Sequence, residues 1–311
     1  MMMNALSDEL PYTRESRALL PDSMRLGPVR LAVTDLSRSI EFYRSVVGLE
    51  VARTGREGAY EVAHLSAGGV GMEDVVVLQE EPDAGNAKRL RASGLYHVAL
   101  NYPSRLELAR TARRIAETRT PIQGASNHQT HEAIYLADPD GNGLELAWDA
   151  PREKWPTTLS TYMSSGREPL DIQGLLALTA AEPVVPPAAN GLRVGHVHLH
   201  VGSVERARDF YVGLVGFELQ FELDTAAFTS AGRYHHHLGF NTWRGEGAGP
   251  VPPNVVGLRE WNIFLPTVGE VEAVRDRLES KGVHVTTAGP GAFTTADPWG
   301  IPLRVGTDPS A

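Results

Sequence analysis

An internal repeat is the feature that most constrains the fold of this chain. Two stretches, GPVRLAVTDLSRSIEFYRSVVGLEV from Gly27 and GHVHLHVGSVERARDFYVGLVGFEL from Gly195, follow one pattern. In each, V-x-L-x-V predicts a short strand, and the segment after it predicts an amphipathic helix with a Phe-Tyr pair. Gly48 and Gly216 stand where a helix C-cap glycine is expected. The chain therefore repeats one supersecondary unit.

Each of these two stretches is followed along the chain by a weaker copy of the same unit. LYHVALNYPSRLELARTARRIAETRTP from Leu95 and REWNIFLPTVGEVEAVRDRLESKGVHV from Arg259 each predict a strand, a break, a helix and further apolar alternating segments. Both copies contain Asp-Pro-x-Gly, in YLADPDGNGLELAWD (135–149) and FTTADPWGIPLRVGTD (293–308), which predicts a β-turn between two strands. The sequence therefore predicts an α+β fold of four βαβββ modules.

The repeat divides the 311-residue chain into six segments. They are an N-terminal arm, module 1, module 2, a linker, module 3 and module 4, over residues 1–24, 25–90, 91–150, 151–192, 193–248 and 249–311 respectively. The linker is rich in proline and alanine, and DIQGLLALTA within it predicts a short helix.

Composition excludes several kinds of site and partner. The chain has no cysteine, so a metal site must use His, Asp, Glu or Asn, and a cysteine nucleophile is excluded. The 29 basic and 38 acidic residues give a formal net charge of −9, which argues against nucleic-acid and membrane partners. No run of about 18 apolar residues and no signal-like start is present, so the cytoplasm is the expected location.

The four modules resemble those of the vicinal oxygen chelate superfamily, which includes glyoxalase I, extradiol ring-cleavage dioxygenases and bleomycin-resistance binding proteins. The resemblance covers residues 25–308. Within it, LYHVAL, YLADPDGNGLELAWD, GHVHLHV and YHHHLGFNTW are most similar to a catechol 2,3-dioxygenase-type subgroup. The resemblance implies two half-open barrels, each formed by the sheets of two modules, with divalent-metal ligands on the first and last strands of the modules.

A comparison of the modules at these strand positions indicates which of them keep a metal site. The equivalent positions are Pro28, His97, His196 and Glu260 on the first strands of modules 1 to 4, and Glu145 and Arg304 on the last strands of modules 2 and 4. Proline and arginine side chains do not ligate metals, so modules 1 and 4 lack the site. His97, Glu145 and His196, in modules 2 and 3, are therefore the predicted metal ligands.

This ligand set indicates how the modules pair. Pairing modules 1 with 2 and 3 with 4 would separate His196 from His97 and Glu145, so we expect module 2 to pair with module 3. A site formed by modules of two chains would satisfy the same ligand count. A homo-oligomer is therefore an alternative arrangement. Two imidazoles and a carboxylate suit a facial triad on Fe(II), with Mn(II), Ni(II) and Zn(II) as alternatives. Such a triad leaves positions for a bidentate diol and O2.

Other polar residues are expected around this metal. HVHLHV places His196, His198 and His200 on one strand face, where His198 is expected to act in catalysis and His200 to bind substrate. The alternative is a polar strand face in contact with water. The other predicted substrate-binding residues are His128, Tyr234 and Asn241.

The stretch GRYHHHLGFNTW, residues 232–243, places three histidines side by side. It is predicted to lie on the last strand of module 3, where His235 and His237 would share one face and His236 the other. Alignment back from Asn241 favours His237 as the inward residue, and alignment with the double histidine of ring-cleavage enzymes favours His236. The inward histidine is expected to move protons or to bind the metal as a fourth ligand, and His235 to be structural.

The resemblance implies an extradiol-type ring-cleavage dioxygenase acting on a small aromatic diol with O2. One alternative is a glyoxalase-like Ni(II) or Zn(II) isomerase with His237 as fourth ligand, although glyoxalase I has a carboxylate at that position. Another is a metabolite- or drug-binding protein of the same fold, but such proteins usually lack a complete triad. The dioxygenase hypothesis also departs from the pattern of its family, because the best-known extradiol enzymes carry their metal ligands in modules 3 and 4.

Overall fold

The computed structural model describes residues 19–86, 90–156, 168–182 and 187–308. Residues 1–18 of the predicted arm and parts of the predicted linker, 157–167 and 183–186, lie outside the described residues. No described helix is long and apolar enough to cross a membrane.

The first half of the chain contains two copies of the predicted unit. The first copy consists of β1 (Arg25–Val33), α1 (Leu36–Phe42), β2 (Glu50–Glu57), β3 (Tyr60–Ser66) and β4 (Asp74–Glu80). The second consists of β5 (Gly94–Asn101), α2 (Arg105–Thr118), β6 (Ile122–Asn127), β7 (His131–Ala137) and β8 (Gly143–Asp149). A 3-10 turn (Arg152–Lys154), β9 (Glu168–Pro169) and α3 (Ile172–Ala177) follow, and α3 confirms the short helix predicted in the linker.

The second half repeats this arrangement. The third copy consists of β10 (Arg193–His200), α4 (Val204–Phe210), β11 (Glu218–Leu223), β12 (Ala226–Ser230) and β13 (Leu238–Asn241). The fourth consists of β14 (Gly257–Leu265), α5 (Val268–Ser280), β15 (Val285–Thr287), β16 (Ala292–Ala296) and β17 (Pro302–Thr307). The four modules predicted from the repeat are therefore present, and the α+β class is confirmed.

The strands form two sheets that combine the modules as the ligand count predicted. The inner sheet has the order β11-β12-β13-β10-β5-β8-β7-β6-β9, so modules 2 and 3 share it. The outer sheet has the order β15-β16-β17-β14-β1-β4-β3-β2 and is shared by modules 1 and 4. These two sheets match the predicted pair of half-open barrels. Sequential pairing of the modules is excluded, and the predicted ligands of modules 2 and 3 share one sheet of a single chain.

The helices connect the modules in a different combination from the sheets. Arg114 of α2, in module 2, donates hydrogen bonds to the carbonyls of Val46 (3.1 Å) and Val47 (2.9 Å), which end the first helix of module 1. Arg277 of α5, in module 4, makes the equivalent bonds of 3.0 and 2.8 Å to the end of the module 3 helix. Buried apolar residues of all four modules form one continuous cluster. The two halves of the chain are therefore interlocked.

The Asp-Pro-x-Gly sequences form the predicted turns. Asp138 Oδ1 accepts hydrogen bonds of 2.8–2.9 Å from the backbone N–H groups of residues 140, 141 and 142. Asp297 accepts from the N–H groups of Trp299 and Ile301 in the same way. Because each aspartate closes its turn locally, the two strands beside it are set in register.

The glycine at the end of the first helix is required by backbone conformation and by space. After α1 the chain makes one π-helical turn, Tyr43–Val47, and Gly48 ends it with φ +91°. A Cβ at Gly48 would lie 2.7 Å from the backbone nitrogen of Ala188 and 2.8 Å from Arg114 Cζ. The predicted C-cap role of Gly48 is confirmed, and Gly216 has the same role at φ +103°.

We predict that Gly48→Ala lowers the free energy of unfolding by about 2–4 kcal/mol, because it combines a left-handed backbone penalty with a clash against backbone atoms. Urea denaturation measures the change. Gly55→Ala is the matched control, since Gly55 lies in β2 and a Cβ added there would have no atom within 4 Å. Equal stability of the two variants would contradict the close approach at Gly48.

Candidate metal centre

Three predicted ligands, one from each of three adjacent strands, meet on one face of the inner sheet. His97 Nε2 lies 3.2 Å from His196 Nε2 and 3.0 Å from Glu145 Oε2. His196 Nε2 lies 3.1 Å from the same Glu145 oxygen. All three side chains are buried. The structure therefore brings the predicted ligands together within one chain.

Strand register explains this meeting. In the antiparallel pair of β5 and β10, Ala99 lies opposite His196, and in the parallel pair of β5 and β8 it lies opposite Glu145. Ala99 therefore has one donor on each side. His97 stands two residues before Ala99 and so projects from the same face of β5. The small side chain of Ala99 leaves the space between the donors open.

The electrostatics of the three residues favour a bound cation. Burial alone would raise the pKa of Glu145, but His196, His131 and His97 together lower it well below its usual range. Burial lowers the pKa of His196, so that imidazole is neutral at pH 7. Within the part of the chain that the structure describes, no lysine or arginine contacts Glu145. A buried carboxylate without a positive partner is costly, and a divalent ion would remove that cost.

The donor spacing also fits a first-row divalent metal. Neighbouring ligands of an octahedral ion with bonds of about 2.1 Å lie about 3.0 Å apart. The three donor atoms are separated by 3.0, 3.1 and 3.2 Å, close to one triangular face of such an octahedron. The residues present therefore fit a metal held on one side only, with the other side open.

His131, the first residue of β7, is a further part of the centre that the site prediction did not include. Its Nε2 lies 2.9 Å from Glu145 Oε1, and its Nδ1 lies 2.9 Å from the Thr130 hydroxyl. This ion-pair contact is not aligned as a hydrogen bond, and Glu145 Oε1 is buried without a hydrogen-bond partner among the described residues. The sequence did contain a signal, because pairing outward from the Asp138 turn puts Tyr135 opposite Glu145, and His131 is four residues from Tyr135 on the same face.

A cavity of about 380 Å³ is lined by two of the three donor residues, His97 and Glu145. Its apolar wall consists of Tyr96, Phe221, Leu223, Phe228 and Trp243. The rest of the lining comes from Thr130, Tyr135, Glu145 and five histidines, at positions 97, 128, 131, 198 and 236. The cavity therefore has a polar floor and an aromatic wall, which suits a planar ligand with polar groups on one edge.

His128 and His198 line this cavity, as expected of them. His128 stacks on His131 with 4.5 Å between ring centroids, and its Nε2 lies 2.8 Å from the Tyr135 hydroxyl. His198 packs edge-on against His97, but its Nε2 accepts a hydrogen bond of 2.9 Å from the Asn241 amide. That nitrogen is therefore not free for the catalytic role predicted for His198.

Three predicted substrate-binding residues lie outside the cavity lining: His200, Tyr234 and Asn241. Asn241 is buried, and its amide joins His198 to His200, whose Nδ1 lies 2.8 Å from Asn241 Oδ1. The Tyr234 hydroxyl donates to Asp149 Oδ2 over 2.8 Å. The polar atoms of these residues are used within the protein, and direct substrate contact by them stays a prediction.

The prediction that the three-histidine run lies on a strand is wrong. Residues 231–237 form a turn between β12 and β13, and positive φ at Gly232 (60°) and Arg233 (56°) breaks the extended backbone. Alternation of faces therefore does not apply there. His236 lines the cavity, with its ring 4.1 Å from that of His196. His237 does not line it: its Nδ1 accepts from the Ala231 amide (3.1 Å), and its ring stacks on Tyr234.

Comparison with known proteins assigns the chain to a family. The family model described as Glyoxalase/Bleomycin resistance protein/Dioxygenase superfamily matches residues 25–146 and 193–305. The chain belongs to this superfamily. The resemblance to the vicinal oxygen chelate proteins is thereby confirmed.

Relatives within the superfamily cover most of the chain. Catechol-2,3-dioxygenase of Bacillus subtilis (strain 168) is 34% identical over 280 residues, which is 89% of this chain and 95% of the relative. The crystal structure of a putative dioxygenase from Bacillus subtilis subsp. subtilis str. 168 superposes with a TM-score of 0.64 at 14% identity, covering 94% of this chain and 87% of the other. Glyoxalase I from Zea mays superposes with a TM-score of 0.56 at 18% identity, covering 92% of each chain. The two structural matches show the shared fold.

The first prediction for this superfamily member concerns its ligands. Glu145→Gln keeps the side-chain size but removes the anionic donor, so divalent-metal affinity falls by at least about 100-fold, more than loss of an outer partner costs. Metal content after anaerobic Fe(II) loading and desalting measures the change. Glu260→Gln is the matched control, because it makes the same change in module 4 of the outer sheet, at the first-strand position that corresponds to His97 and His196. A full equivalent of metal in Glu145→Gln would contradict the ligand assignment.

The second prediction concerns pH and stability. Burial lowers the pKa of His128 to about 3 and that of His200 to about 4. Between pH 6.5 and 4 these histidines are protonated in the unfolded chain but neutral in the fold, so the unfolded chain binds more protons. The free energy of unfolding of the metal-free protein therefore falls as the pH is lowered through this range, by up to about 1.4 kcal/mol per pH unit for each such histidine.

Urea denaturation at pH 7, 6 and 5 measures this dependence. His128→Gln removes one of the contributing groups, so its stability falls less steeply with acid than that of the wild type. His284→Gln changes an exposed histidine far from the centre and serves as the control. An unchanged pH slope in His128→Gln would show that His128 is not held neutral by burial.

Proposed function

We propose that the protein is an extradiol-type ring-cleavage dioxygenase that uses Fe(II) to open a catechol-like diol with O2. The observation that carries the proposal is the triangle of His97, Glu145 and His196, two of which, His97 and Glu145, line an aromatic-walled cavity. Two histidines and one carboxylate on one side of the ion leave positions for both diol oxygens and for dioxygen. The name of the Bacillus subtilis relative supports the same chemistry.

The geometry of the centre does not favour the glyoxalase-like alternative. It required His237 as a fourth ligand, and His237 is held by Ala231 and Tyr234 outside the cavity lining. A protein that only binds a metabolite does not require a buried carboxylate such as Glu145 between three imidazoles. The dioxygenase proposal therefore uses more of the observed site than either alternative.

The chain's own residues have three tasks in this mechanism. His97, Glu145 and His196 would hold the iron, and their net charge of −1 leaves +1 on the centre, which favours binding of a deprotonated diol. When bound, Fe(II) supplies Lewis acidity and the electrons that activate dioxygen. The aromatic wall holds the ring of the diol against the floor and excludes water.

His236 is the residue proposed to move a proton. It lines the cavity beside His196, and burial lowers its pKa, so it is a neutral base at pH 7. Its free ring nitrogen takes the proton of a diol hydroxyl and later returns it to the product. Of the two candidates in the three-histidine run, the structure favours His236 over His237.

Oxygen consumption tests the proposed function. The protein loaded anaerobically with Fe(II) is expected to consume one O2 per catechol and to form a yellow ring-opened product. His236→Gln should lower kcat by about 10²–10⁴-fold at unchanged iron content, as expected for loss of a general base. His237→Gln is the adjacent control and should keep near-wild-type kcat. Tight nickel or zinc binding without O2 uptake would contradict the proposal.

The wall of the cavity leads to a prediction about the diol. Among the described residues that line it there is no lysine or arginine, and Leu223 and Trp243 are exposed at 38% and 52%. A ring carboxylate against this wall would lose part of its hydration without gaining a positive partner, at a cost of about 1–3 kcal/mol. We therefore expect kcat/KM for 4-methylcatechol to exceed that for 3,4-dihydroxybenzoate by at least about 10-fold.

Leu223→Arg adds a guanidinium to the wall and should lower the ratio of kcat/KM for 4-methylcatechol to kcat/KM for 3,4-dihydroxybenzoate. Leu223→Met should leave this ratio unchanged. Initial rates of O2 uptake with the two diols measure the ratio. Equal kcat/KM for both diols in the wild type would show that the apolar wall does not select the substituent.

A further inference from the structure

We propose that Asp149 and His235 are positioning residues that fix the tautomer of His236, so that its Nε2 carries no proton and is free for a ligand in the cavity. The effect of Asp149 and His235 on turnover rests on the proposed function, whereas the tautomer of His236 does not.

A chain of three side chains carries this inference. Asp149 is the last residue of β8, four residues after Glu145, and so projects from the same face. Its Oδ1 lies 3.2 Å from His235 Nε2. His235 Nδ1 in turn lies 2.9 Å from His236 Nδ1. His236 is the member of the chain that lines the cavity.

The direction of the chain follows from the chemistry of its first member. Burial alone would raise the pKa of Asp149, but its partners His235 and Tyr234 lower it below its usual range, so Asp149 is a carboxylate that only accepts. Burial also lowers the pKa of His235 to about 4, so His235 is neutral and carries one ring proton.

That proton must be on Nε2, which donates to Asp149, and His235 Nδ1 is then an acceptor. His236 Nδ1 must therefore be the donor of the bond to His235. A neutral imidazole has one N–H, so His236 Nε2 keeps its lone pair. The chain thus selects the tautomer that a proton-accepting residue needs.

The surroundings of Asp149 keep its orientation. Asp149 Oδ2 accepts hydrogen bonds from the Asn101 amide (2.6 Å) and from the Tyr234 hydroxyl (2.8 Å). Asn101 Oδ1 accepts from the Asp149 backbone N–H (3.2 Å), so the Asn101 amide cannot turn its oxygen toward Asp149 Oδ2. The ring of His235 stacks on His131 at 4.6 Å and 15°. Oδ1 is therefore the oxygen left for His235.

In the proposed reaction this arrangement has a direct consequence. When His236 Nε2 takes the proton of a diol hydroxyl, the positive charge forms on a ring whose Nδ1–H is bonded to His235. The carboxylate of Asp149 stabilises that charge through His235. Asp149 thus orients the base and supports its charged form without touching the substrate.

Asp149→Asn is the variant that separates this role from a structural one. The Asn101 amide requires an oxygen at the Oδ2 position, so the new NH2 group faces His235 Nε2. His235 must then carry its proton on Nδ1, and His236 must accept there and carry its own proton on Nε2. The variant therefore reverses the chain while keeping its shape.

Ring ¹⁵N NMR of histidine-labelled protein reads the tautomer, with Zn(II) in place of iron to keep the resonances sharp and His236→Gln to assign them. We expect the Nδ1–H form of His236 in the wild type and the Nε2–H form in Asp149→Asn. In the Fe(II) protein, Asp149→Asn should lower kcat by about 10²–10⁴-fold, with KM, iron content and melting temperature nearly unchanged. An Nε2–H form of His236 in the wild type would overturn the proposal.

A double variant checks that Asp149 acts through His236. In a His236→Gln background, Asp149→Asn should cause no further loss of kcat, whereas an additive loss would indicate a structural role and overturn the proposal. If Asp149→Asn fails to fold, His235→Phe interrupts the same chain and should show the same kcat loss and the same non-additivity. Arg193→Gln, at an exposed residue 3.9 Å from Asp149, is the control.

The outcomes distinguish this inference from the proposed function. A wild-type protein that consumes no O2 with any diol would contradict the dioxygenase proposal, and the ¹⁵N tautomer would still decide the role of Asp149 and His235. Normal turnover in Asp149→Asn would overturn the positioning role and leave the dioxygenase proposal standing.

Discussion

The candidate centre depends on the antiparallel pairing of β5 with β10, the contact that joins module 2 to module 3. Its register puts His196 opposite Ala99, and the parallel β8 puts Glu145 on the other side of Ala99. A slip of one residue would turn the donors to the other face of the sheet. The outer sheet has the same seam between β1 and β14, but Arg30 and Glu260 face each other across it, so the same architecture lacks the donor set.

The interlocking of the two halves explains how a metal centre can form from modules that are not adjacent along the chain. The sheets join module 2 to 3 and module 1 to 4, whereas Arg114 and Arg277 join module 1 to 2 and module 3 to 4 through helix ends. Neither half contains a complete sheet. The β5–β10 seam is thus supported on both sides by contacts that do not involve the donors themselves.

Much of this arrangement could be predicted from the sequence, because it depends on repetition and local rules. The repeat indicated the modules, Gly48 and Asp138 have local backbone roles, and the ligand count indicated the inner pairing. The three-histidine run could not be placed, because positive φ at Arg233 is not evident from its residue type. The chain from Asp149 to His236 was also missed, since it joins residues whose contact depends on how a turn packs over β8.

The central claim is that one divalent ion is held across the β5–β10 seam by His97, Glu145 and His196. A crystal grown with Fe(II) under anaerobic conditions, measured on both sides of the iron absorption edge, tests it most directly. We expect one anomalous peak per chain, within bonding distance of these three side chains, and none in the outer sheet. A peak among His196, His235 and His236 instead, the other buried group able to hold an ion among the described residues, would contradict it.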